Sequence, residues 1–395
     1  MSTGYNENSS MKKSVVSSKS IVPVMLAFFT MGFVDLVGIA ANYVKQDFAL
    51  SDTAANSFTV MVFFWFFVFS VPTGMLMNKI GRKNTVLLSM VVTFVGLLIP
   101  LLVYNDISMF FAFSFIGIGN TLMQVSLNPL LASLVSEERQ PSYLTLGQFI
   151  KSVASFVAPL IAVHAAVQMG NWKLLFLIFA VIDVMAVFCL LFTPIVEVKA
   201  QNNSSTFKEC ILLLKNGVIL LLFVGILVHV GIDVGVNISA PKLLQERVGL
   251  SLSEAGYATS VFFLFRTLGC FSGTIIMAKF SPVKFLACSV VLMFLGVVGL
   301  MFAFSEVMIY TCVAIIGIGN SNVFSVIFSH ALLYMPSRNN EISGLMIMGI
   351  TGGAVFPVLM GMASDGMGGQ IGTVIILAVC VAYLLFLSGK MNKCS

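Results

Sequence analysis

Long apolar stretches dominate this sequence, and they leave few folds open to it. Breaking the chain at its charged and turn-rich points leaves about twelve stretches of roughly 20 residues, the length at which a helix crosses a bilayer. We place them near residues 21–44, 56–78, 84–103, 107–135, 145–168, 172–194, 217–240, 254–278, 282–303, 307–334, 341–363 and 370–389. Backbone groups in lipid must be satisfied within their own segment, so we predict an all-α membrane protein with twelve transmembrane helices. With 58% hydrophobic and 9% charged residues, the chain has too little polar material for a soluble globule.

The second half of the sequence repeats the first. Residues 116–120 and residues 316–320 both read Ile-Gly-Ile-Gly-Asn, and Asp35 matches Asp233 at nearly the same offset. Repeats within a membrane chain are typical of transporters whose halves move about a site between them. We therefore predict two pseudo-symmetric six-helix bundles and a connector. The predicted boundaries are 1–20 for a disordered tail, 21–194 and 217–390 for the bundles, 195–216 for the connector and 391–395 for a second tail.

Positive charge is distributed unequally between the two ends of the predicted helices. Of the 21 lysines and arginines, 15 fall on the side of the termini and the connector, 4 on the other side and 2 within spans. The positive-inside rule then places both termini in the cytoplasm of a cell whose inner membrane the chain crosses many times. The basic residues are spread over many short loops, so the net charge of +5 does not indicate a nucleic-acid partner.

The segment between the second and third predicted helices resembles the signature loop of the major facilitator superfamily. That loop runs from a glycine to an acid and ends in Gly-Arg-Lys; here it begins at Gly74 and ends at Gly81, Arg82 and Lys83. Asn78 stands where the family usually has an aspartate, so the charge clamp assigned to that acid cannot be carried over unchanged. The resemblance implies a transporter in which these five residues control a conformational change at the cytoplasmic face.

Three further patches resemble the branch of fucose and glucose/galactose sugar:proton symporters. They are Gln124-Val-Ser-Leu-Asn128-Pro129, Asn320-Ser321-Asn322-Val-Phe324-Ser325-Val-Ile327-Phe328-Ser329, and Gly352-Gly353-Ala-Val-Phe356-Pro357-Val-Leu-Met360-Gly361 with Ser364-Asp365. Fucose-type members carry a glutamate at the position of Gln124 and an aspartate near Gly38, about one turn after Asp35. The resemblance implies import of a monosaccharide with protons.

The residues of the predicted sugar site are mostly amides and aromatics. We predict substrate contacts from Asn120, Gln124, Asn128, Gln148, Lys151, Asn237, Asn320, Asn322, Phe324 and Phe328. Asn120, Gln124 and Asn128 are spaced at i, i+4 and i+8, so they line one helix face, and Phe324 and Phe328 belong to the repeat-related helix. Amides opposite aromatics suit a pyranose, which has a hydroxyl edge and an apolar face. The alternative is that the amides bind helices together and the phenylalanines are filler.

Ionisable residues within spans are candidates for ion coupling, because each costs about 2.5–3.5 kcal/mol on insertion scales. Asp35 and Asp233 occupy related places in the two halves, and His229 lies one turn before Asp233. We predict proton coupling through Asp35, with Asp233 and His229 as further carriers and sodium as the other possible ion. The alternative is a pair of structural ion pairs, Asp35 with Lys151 and Asp233 with Arg266.

Other functions stay open at this stage. Lys151 stands where the resembling branch has a neutral amide, so the substrate is either a neutral sugar or an acidic one such as a sialic acid or a uronate, with Arg266 as a second cation. Export of hydrophobic compounds and sensing on a transporter scaffold are further alternatives. The sequence contains no pattern for a metal, a nucleotide or a catalytic triad, so we expect no cofactor, no enzyme activity and a monomer that contacts only lipid and its substrates.

Overall fold

The computed structural model describes residues 18–50, 52–195, 197, 206–250 and 252–394. Helices make up most of these residues, and none of them forms a strand. Residues 1–17 of the predicted N-terminal tail lie outside the described part of the chain, and so do residues 196 and 198–205 of the predicted connector.

The first half of the chain contributes six membrane crossings. Its helices are α1 (Ser18–Met31), α2 (Leu36–Asp47), α3 (Asp52–Ile80), α4 (Arg82–Leu102), α5 (Asp106–Leu134), α6 (Gln140–Met169) and α7 (Leu174–Leu191). A 3₁₀ turn, Gly32–Asp35, joins α1 to α2, so these two helices form one interrupted crossing. Another 3₁₀ turn, Glu137–Arg139, precedes α6.

The second half contributes six more crossings. Its helices are α8 (Phe207–Leu212), α9 (Gly217–Val248), α10 (Leu252–Ala255), α11 (Tyr257–Met277), α12 (Pro282–Phe302), α13 (Glu306–Asn320), α14 (Val323–Tyr334), α15 (Asn339–Met348), α16 (Gly352–Met367) and α17 (Ile371–Cys394). The helices α8 and α10 are short and do not span. Two crossings are interrupted, one at residues 321–322 between α13 and α14 and one at the 3₁₀ turn Gly349–Thr351 between α15 and α16.

The predicted all-α membrane fold is confirmed, and the helix ends lie within a few residues of most predicted ones. Within the described residues, eleven segments are long and apolar enough to cross a membrane, and the shorter apolar helix Ser20–Asp35 begins the remaining crossing. The largest difference is at α9, which continues past Pro241 to Val248. This last part of the helix contains charged residues and lies beyond the apolar layer, so the apolar run ends before the helix does. The last helix reaches Cys394, so residues 391–394 of the predicted C-terminal tail are helical.

The two halves meet at the side of the molecule where the lysine- and arginine-rich loops lie, which we call the basic face. There the Ser142 hydroxyl of α6 donates to the Thr274 carbonyl of α11 at 2.6 Å. Farther into the membrane the same two helices bring the rings of Phe149 and Phe271 to 5.4 Å between centroids. Helices α3 and α15 also pack against each other across the halves. The structure is therefore closed at the basic face.

A polar cluster at the opposite face holds three loops of the first half together. The carboxylate of Asp47, at the end of α2, accepts hydrogen bonds from Tyr104 at 2.5 Å and from the Trp172 indole at 3.0 Å. The Lys173 ammonium lies 4.1 Å from the centre of the Tyr104 ring. Burial and the neighbouring carboxylate raise the pKa of Tyr104, so its hydroxyl stays a donor. The first bundle is thus tied at this end without help from the second.

Backbone-to-backbone packing makes Gly352 hard to replace. A Cβ atom at this position would lie 2.0 Å from the Leu227 carbonyl oxygen of α9, which cannot move without distorting its helix. In the same helix α16, a Cβ at Gly361 would meet nothing within 4 Å. These two glycines therefore form a matched pair, one at a close helix contact and one on an open surface.

We expect Gly352→Ala to lower the apparent melting temperature of the purified protein in detergent, because α16 must move away from α9 to accept the methyl group. Gly361→Ala should leave the melting temperature unchanged or raise it, since alanine favours a helix by about 1 kcal/mol over glycine. Thermal unfolding of both variants followed by circular dichroism measures this. Equal melting temperatures would contradict the close contact at Gly352.

Candidate functional site

Apart from Asp183 on α7, four charged residues lie near the middle of the membrane, two from each half. Asp35 ends the 3₁₀ turn of the first crossing and Lys151 lies on α6, whereas Asp233 lies on α9 and Arg266 on α11. Asp35, Lys151 and Arg266 are all close enough to Asp233 to act on it electrostatically. The side chain of Asp35 is exposed and that of Lys151 is half-buried. These charges therefore face a common space between the halves that is closed toward the basic face.

The two charges of the second half are paired. The Arg266 guanidinium lies 3.2 Å from the Asp233 carboxylate, as one of the sequence-based alternatives predicts. The Asn320 amide donates to the other Asp233 oxygen at 2.9 Å, and Asn237 donates to the Asp233 carbonyl at 2.8 Å. Asp233 is thus bound by Arg266, Asn320 and Asn237. The Nε donor of Arg266 is buried and has no hydrogen-bond acceptor among the described residues.

The two charges of the first half are not paired with each other. The Asp35 carboxylate accepts a hydrogen bond from Ser155, one helical turn beyond Lys151 on α6. Within the described part of the chain, the Lys151 ammonium makes no hydrogen bond or salt bridge. The ion pair between Asp35 and Lys151, the other sequence-based alternative, is therefore absent from this structure, because Ser155 and not Lys151 faces the acid.

Lys151 and Arg266 occupy facing helices at similar depth. The contact between Phe149 and Phe271 is the reference point. With a rise of about 1.5 Å per residue, Lys151 lies about 3 Å beyond this contact along α6 and Arg266 about 7.5 Å beyond it along α11. Both cations therefore border the space between the halves, on the side of the Phe149–Phe271 contact that faces away from the basic face.

The three predicted amides of α5 form a ladder that starts at the interrupted first crossing. Asn120 donates to the carbonyl of Met31, the last residue before the 3₁₀ turn, at 2.6 Å. Gln124 donates to the Asn120 side-chain oxygen at 2.7 Å, and Asn128 donates to the Gln124 carbonyl, also at 2.7 Å. Asn120 is therefore fully engaged in supporting the break, which agrees with the alternative that it binds helices together. Gln124 keeps its own side-chain oxygen free of protein donors among the described residues.

Asn128 lies deeper in the contact between the halves. The Ser343 hydroxyl of α15 donates to the Val125 carbonyl at 2.6 Å, and Asn128 is about one turn closer to the basic face than Val125. The Asn128 side chain is completely buried and its oxygen has no donor among the described residues. Asn128 therefore lies between the basic face and the space that the four charges face. Gln124 lies at the edge of that space.

Unsatisfied polar atoms are concentrated in the interior of both halves. Among the described residues, buried side-chain atoms without a hydrogen-bond partner occur at Trp65, Asn128, Thr145, Gln148, Asp183, His229, Asn237, Arg266, Asn320, Asn322, Ser325 and Asn339. Most buried polar groups in proteins are hydrogen-bonded, so the members of this set that contact Asp233, namely Asn237, Arg266 and Asn320, have atoms with capacity for water or a polar ligand. Six of the predicted site residues belong to this set. Trp65, Thr145 and Ser325 were missed, because nothing in their spacing distinguishes them from ordinary helix residues.

The predicted aromatic wall is present as a stack. The rings of Phe324 and Phe328 lie 5.3 Å apart at an angle of 25°. Phe324 is 8% exposed and Phe328 is completely buried. Contact of either ring with a sugar stays a prediction, and Phe324 is the one with accessible surface.

The signature loop lies at the seam between the halves. Asn78 donates to the Glu341 carboxylate at 3.0 Å and accepts from the Asn340 amide at 2.7 Å. The Arg82 guanidinium donates to the Asn340 side-chain oxygen at 2.7 Å. A Cβ atom at Gly74 would lie 2.7 Å from the Asn340 carbonyl oxygen, so the backbones approach closely here as well. The acid that the loop lacks is therefore supplied by Glu341 from the other half.

A glutamate of the connector holds the end of the signature loop. Glu197 accepts hydrogen bonds from the backbone amides of Arg82 at 2.7 Å and Lys83 at 2.6 Å, the first residues of α4. A carboxylate in this position stabilises the positive end of a helix. Gly81, the residue before α4, has a φ of 85°, a conformation that favours glycine. The Lys83 ammonium in turn donates to the carbonyls of Leu191 and Thr193 after α7. Glu197 was missed because its partners are more than 110 residues away.

Comparisons with known proteins agree with the sequence motifs. The profile of the Major Facilitator Superfamily matches residues 24–357. A protein of Brucella abortus named glucose/galactose transporter is 26% identical over 419 residues, which cover 98% of each chain. The crystal structure of the E. coli fucose:proton symporter has a TM-score of 0.80 at 17% identity, covering 94% of this chain and 98% of that one. A structure of FucP in the outward conformation has the same TM-score at 19% identity and covers 94% and 99%.

We expect Asn78→Asp to weaken the seam at the basic face, because it places a second carboxylate about 3 Å from Glu341. Losing a hydrogen bond and gaining repulsion should cost about 1–3 kcal/mol of closure. Hydrogen exchange of the α3 and α15 amides near residues 78 and 341 should become faster. Adding Glu341→Gln should restore slow exchange, since its amide can donate to Asp. Unchanged exchange in the single variant would show that this contact does not hold the seam.

Proposed function

The chain belongs to the Major Facilitator Superfamily, and we propose that it imports a monosaccharide together with a proton. The observation that carries the proposal is the group of four charged residues in the middle of the membrane, with unsatisfied polar atoms on Asn237, Asn320 and Arg266 among them. Amide and indole groups such as those of Gln148, Asn237 and Trp65 match the many donors and acceptors of a sugar. The glucose/galactose transporter of Brucella abortus, similar along its whole length, supports the same substrate class.

Asp35 is our candidate for the proton carrier. It is exposed to the space between the halves and has a hydroxyl as its partner, so a proton can reach it from water. Asp233 is held by Arg266 and Asn320, and such donors stabilise an ionised carboxylate. His229 is 2% exposed and lies one turn before Asp233 on α9, which makes it a less accessible carrier than Asp35. Lys151, Asp233 and Arg266 are the charged groups that Asp35 faces across the site.

Alternating access follows from the same arrangement in this proposal. The halves are closed at the basic face by the contacts of Asn78, Arg82 and Asn340, while the charged residues remain accessible. The bundles at residues 21–194 and 217–390 would rock about the charged site until the basic face opens. We place this face in the cytoplasm of a cell with the chain in its inner membrane, and we take the working unit to be a monomer.

We expect Asp35→Asn to abolish accumulation of the transported sugar while counterflow exchange continues, because exchange needs binding but no net proton movement. The measurement is uptake of labelled sugars into proteoliposomes with an imposed pH gradient, over a panel that contains glucose, galactose and their acids. Asp183→Asn is the matched control, since Asp183 is a buried membrane acid on α7 away from the space between the halves.

Full accumulation by a variant with both Asp35→Asn and Asp233→Asn would rule out coupling through these acids. Accumulation that follows a sodium gradient instead of a pH gradient would replace the proton with sodium. If the wild-type protein moves no sugar of the panel, the proposed substrate class is wrong.

Gln124→Ala should weaken binding of the transported sugar by several-fold, because a lost hydrogen bond to a neutral group costs about 0.5–1.5 kcal/mol. Asn128→Ala is expected to have a similar or smaller effect, since Asn128 lies below the site. Asn120→Ala should instead lower thermal stability, because it removes the donor to Met31 at the interrupted crossing. Binding by isothermal titration and melting in detergent separate these outcomes. Unchanged affinity in both of the first two variants would make the ladder purely structural.

A further inference from the structure

One cation in the middle of the membrane has no counter-charge bound to it. Lys151 makes no hydrogen bond or salt bridge through its ammonium among the described residues, and its side chain is half-buried at the edge of the site. Arg266 has Asp233, and Asp35 has Ser155. Cations inside a membrane are normally paired or placed where they bind something. We propose that the transported monosaccharide carries a carboxylate, and that Lys151 binds this carboxylate. This inference rests on the proposed function and specifies its substrate.

The position of Lys151 fits such a ligand. The ammonium borders the space between the halves, just beyond the contact of Phe149 with Phe271. Arg266 borders the same space from the facing helix, and its Nε atom is buried without an acceptor. A carboxylate has two oxygens, so it can be bound by a cation from each half at once. Binding by both halves would also favour closure of the space between α6 and α11 at the end away from the basic face.

A neutral sugar does not account for the lysine. Hydroxyl groups are bound equally well by amides, which carry no cost for burying charge. The site already contains amides on both halves, including Gln148 one turn before Lys151. An additional ammonium therefore contributes something that amides cannot, which is a full positive charge. A full charge is useful here for a ligand of the opposite charge.

The charge balance explains why a proton would travel with this substrate. Asp35, Lys151, Asp233 and Arg266 sum to zero when all are ionised. A bound carboxylate makes the site negative by one charge, and a proton on Asp35 returns it to zero. Closing the site around an unbalanced charge is unfavourable in a medium of low dielectric constant. The loaded site therefore closes readily only when anion and proton are both present.

This balance predicts how transport responds to voltage. A proton moving with a neutral sugar carries one positive charge per cycle, so an inside-negative potential drives uptake. A proton moving with a sugar anion carries no net charge, so the same potential has no effect. The pH gradient drives uptake in both cases. Voltage therefore separates the two substrate classes in a way that does not depend on knowing the natural sugar.

The experiment uses the full chain purified into proteoliposomes. The probes are labelled D-glucuronate, D-galacturonate and N-acetylneuraminate, with D-glucose and D-galactose as the neutral parents. A pH gradient and a potassium potential set with valinomycin are imposed separately. We expect at least one acid to accumulate with the pH gradient and to be unaffected by the potential, and we expect this acid to block uptake where its neutral parent does not.

Variants of Lys151 test the residue itself. Lys151→Asn should lower uptake of the acid by about tenfold or more, as expected for loss of a charge-assisted hydrogen bond. It should also shift preference toward the neutral parent and make that uptake sensitive to the potential. Lys151→Arg should retain acid uptake, which shows that a protein with a bulky cation at this position still folds. Lys284→Asn, an exposed lysine at the start of α12, is the matched control and should behave as the wild type.

Four outcomes would overturn the inference. Accumulation of a neutral hexose with all three acids inert would leave the proposed sugar and proton transport standing and assign Lys151 to another role. Acid uptake that an inside-negative potential increases would refute the one-to-one charge balance. Acid uptake that is equal in Lys151→Asn and in the wild type would show that the carboxylate binds elsewhere. Failure of every neutral and acidic sugar would instead refute the proposed function, and the inference with it.

Discussion

The cost of placing polar and charged groups inside a bilayer determines how this structure is arranged. A soluble protein can leave such groups to water, but here the surrounding lipid offers no partner. Each polar group in the interior must therefore find a partner within the chain, line an aqueous space, or bind a ligand. Asn120 takes the first course at the Met31 carbonyl, and Asp35 takes the second. Lys151 and the unsatisfied amides have no such partner among the described residues, and for them we propose the third course.

The interrupted crossings follow from the same constraint. A break in a membrane helix exposes backbone groups that lipid cannot satisfy, so a break is tolerated only beside other helices or an aqueous space. The first crossing breaks at Gly32–Asp35, where α6 packs closely against Gly32 and α5 contributes Asn120. The tenth breaks next to Asn320, which reaches Asp233. Both breaks thus lie beside the charged residues and bring polar side chains from different helices into one place.

Sequence reasoning predicted the fold well because the signals were local and strong. Apolar runs give helix number and position, and the repeat gives the division into two related bundles. It also singled out amides and charges inside apolar helices, and their role as a substrate site stays a prediction. It named the pair of Asp233 with Arg266 as an alternative but did not predict the partner of Asp35, because the rotation of α6 decides whether Lys151 or Ser155 faces that acid. The seam partners Glu197, Asn340 and Glu341 were missed for a related reason, because their contacts join segments far apart in the chain and leave no periodic pattern.

The connector has a mechanical role that its composition does not suggest. Glu197, near its start, is bound to the beginning of α4, while α8 packs against both α3 of the first half and α15 of the second. The short helix α8 therefore covers the line along which the halves would separate. In the proposed movement of the halves, opening of the basic face would separate α8 from one of its two neighbours and uncover Cys210, the buried residue of this helix. If the halves move as we propose, the balance between the two conformations includes the packing energy of a six-residue helix that crosses no membrane.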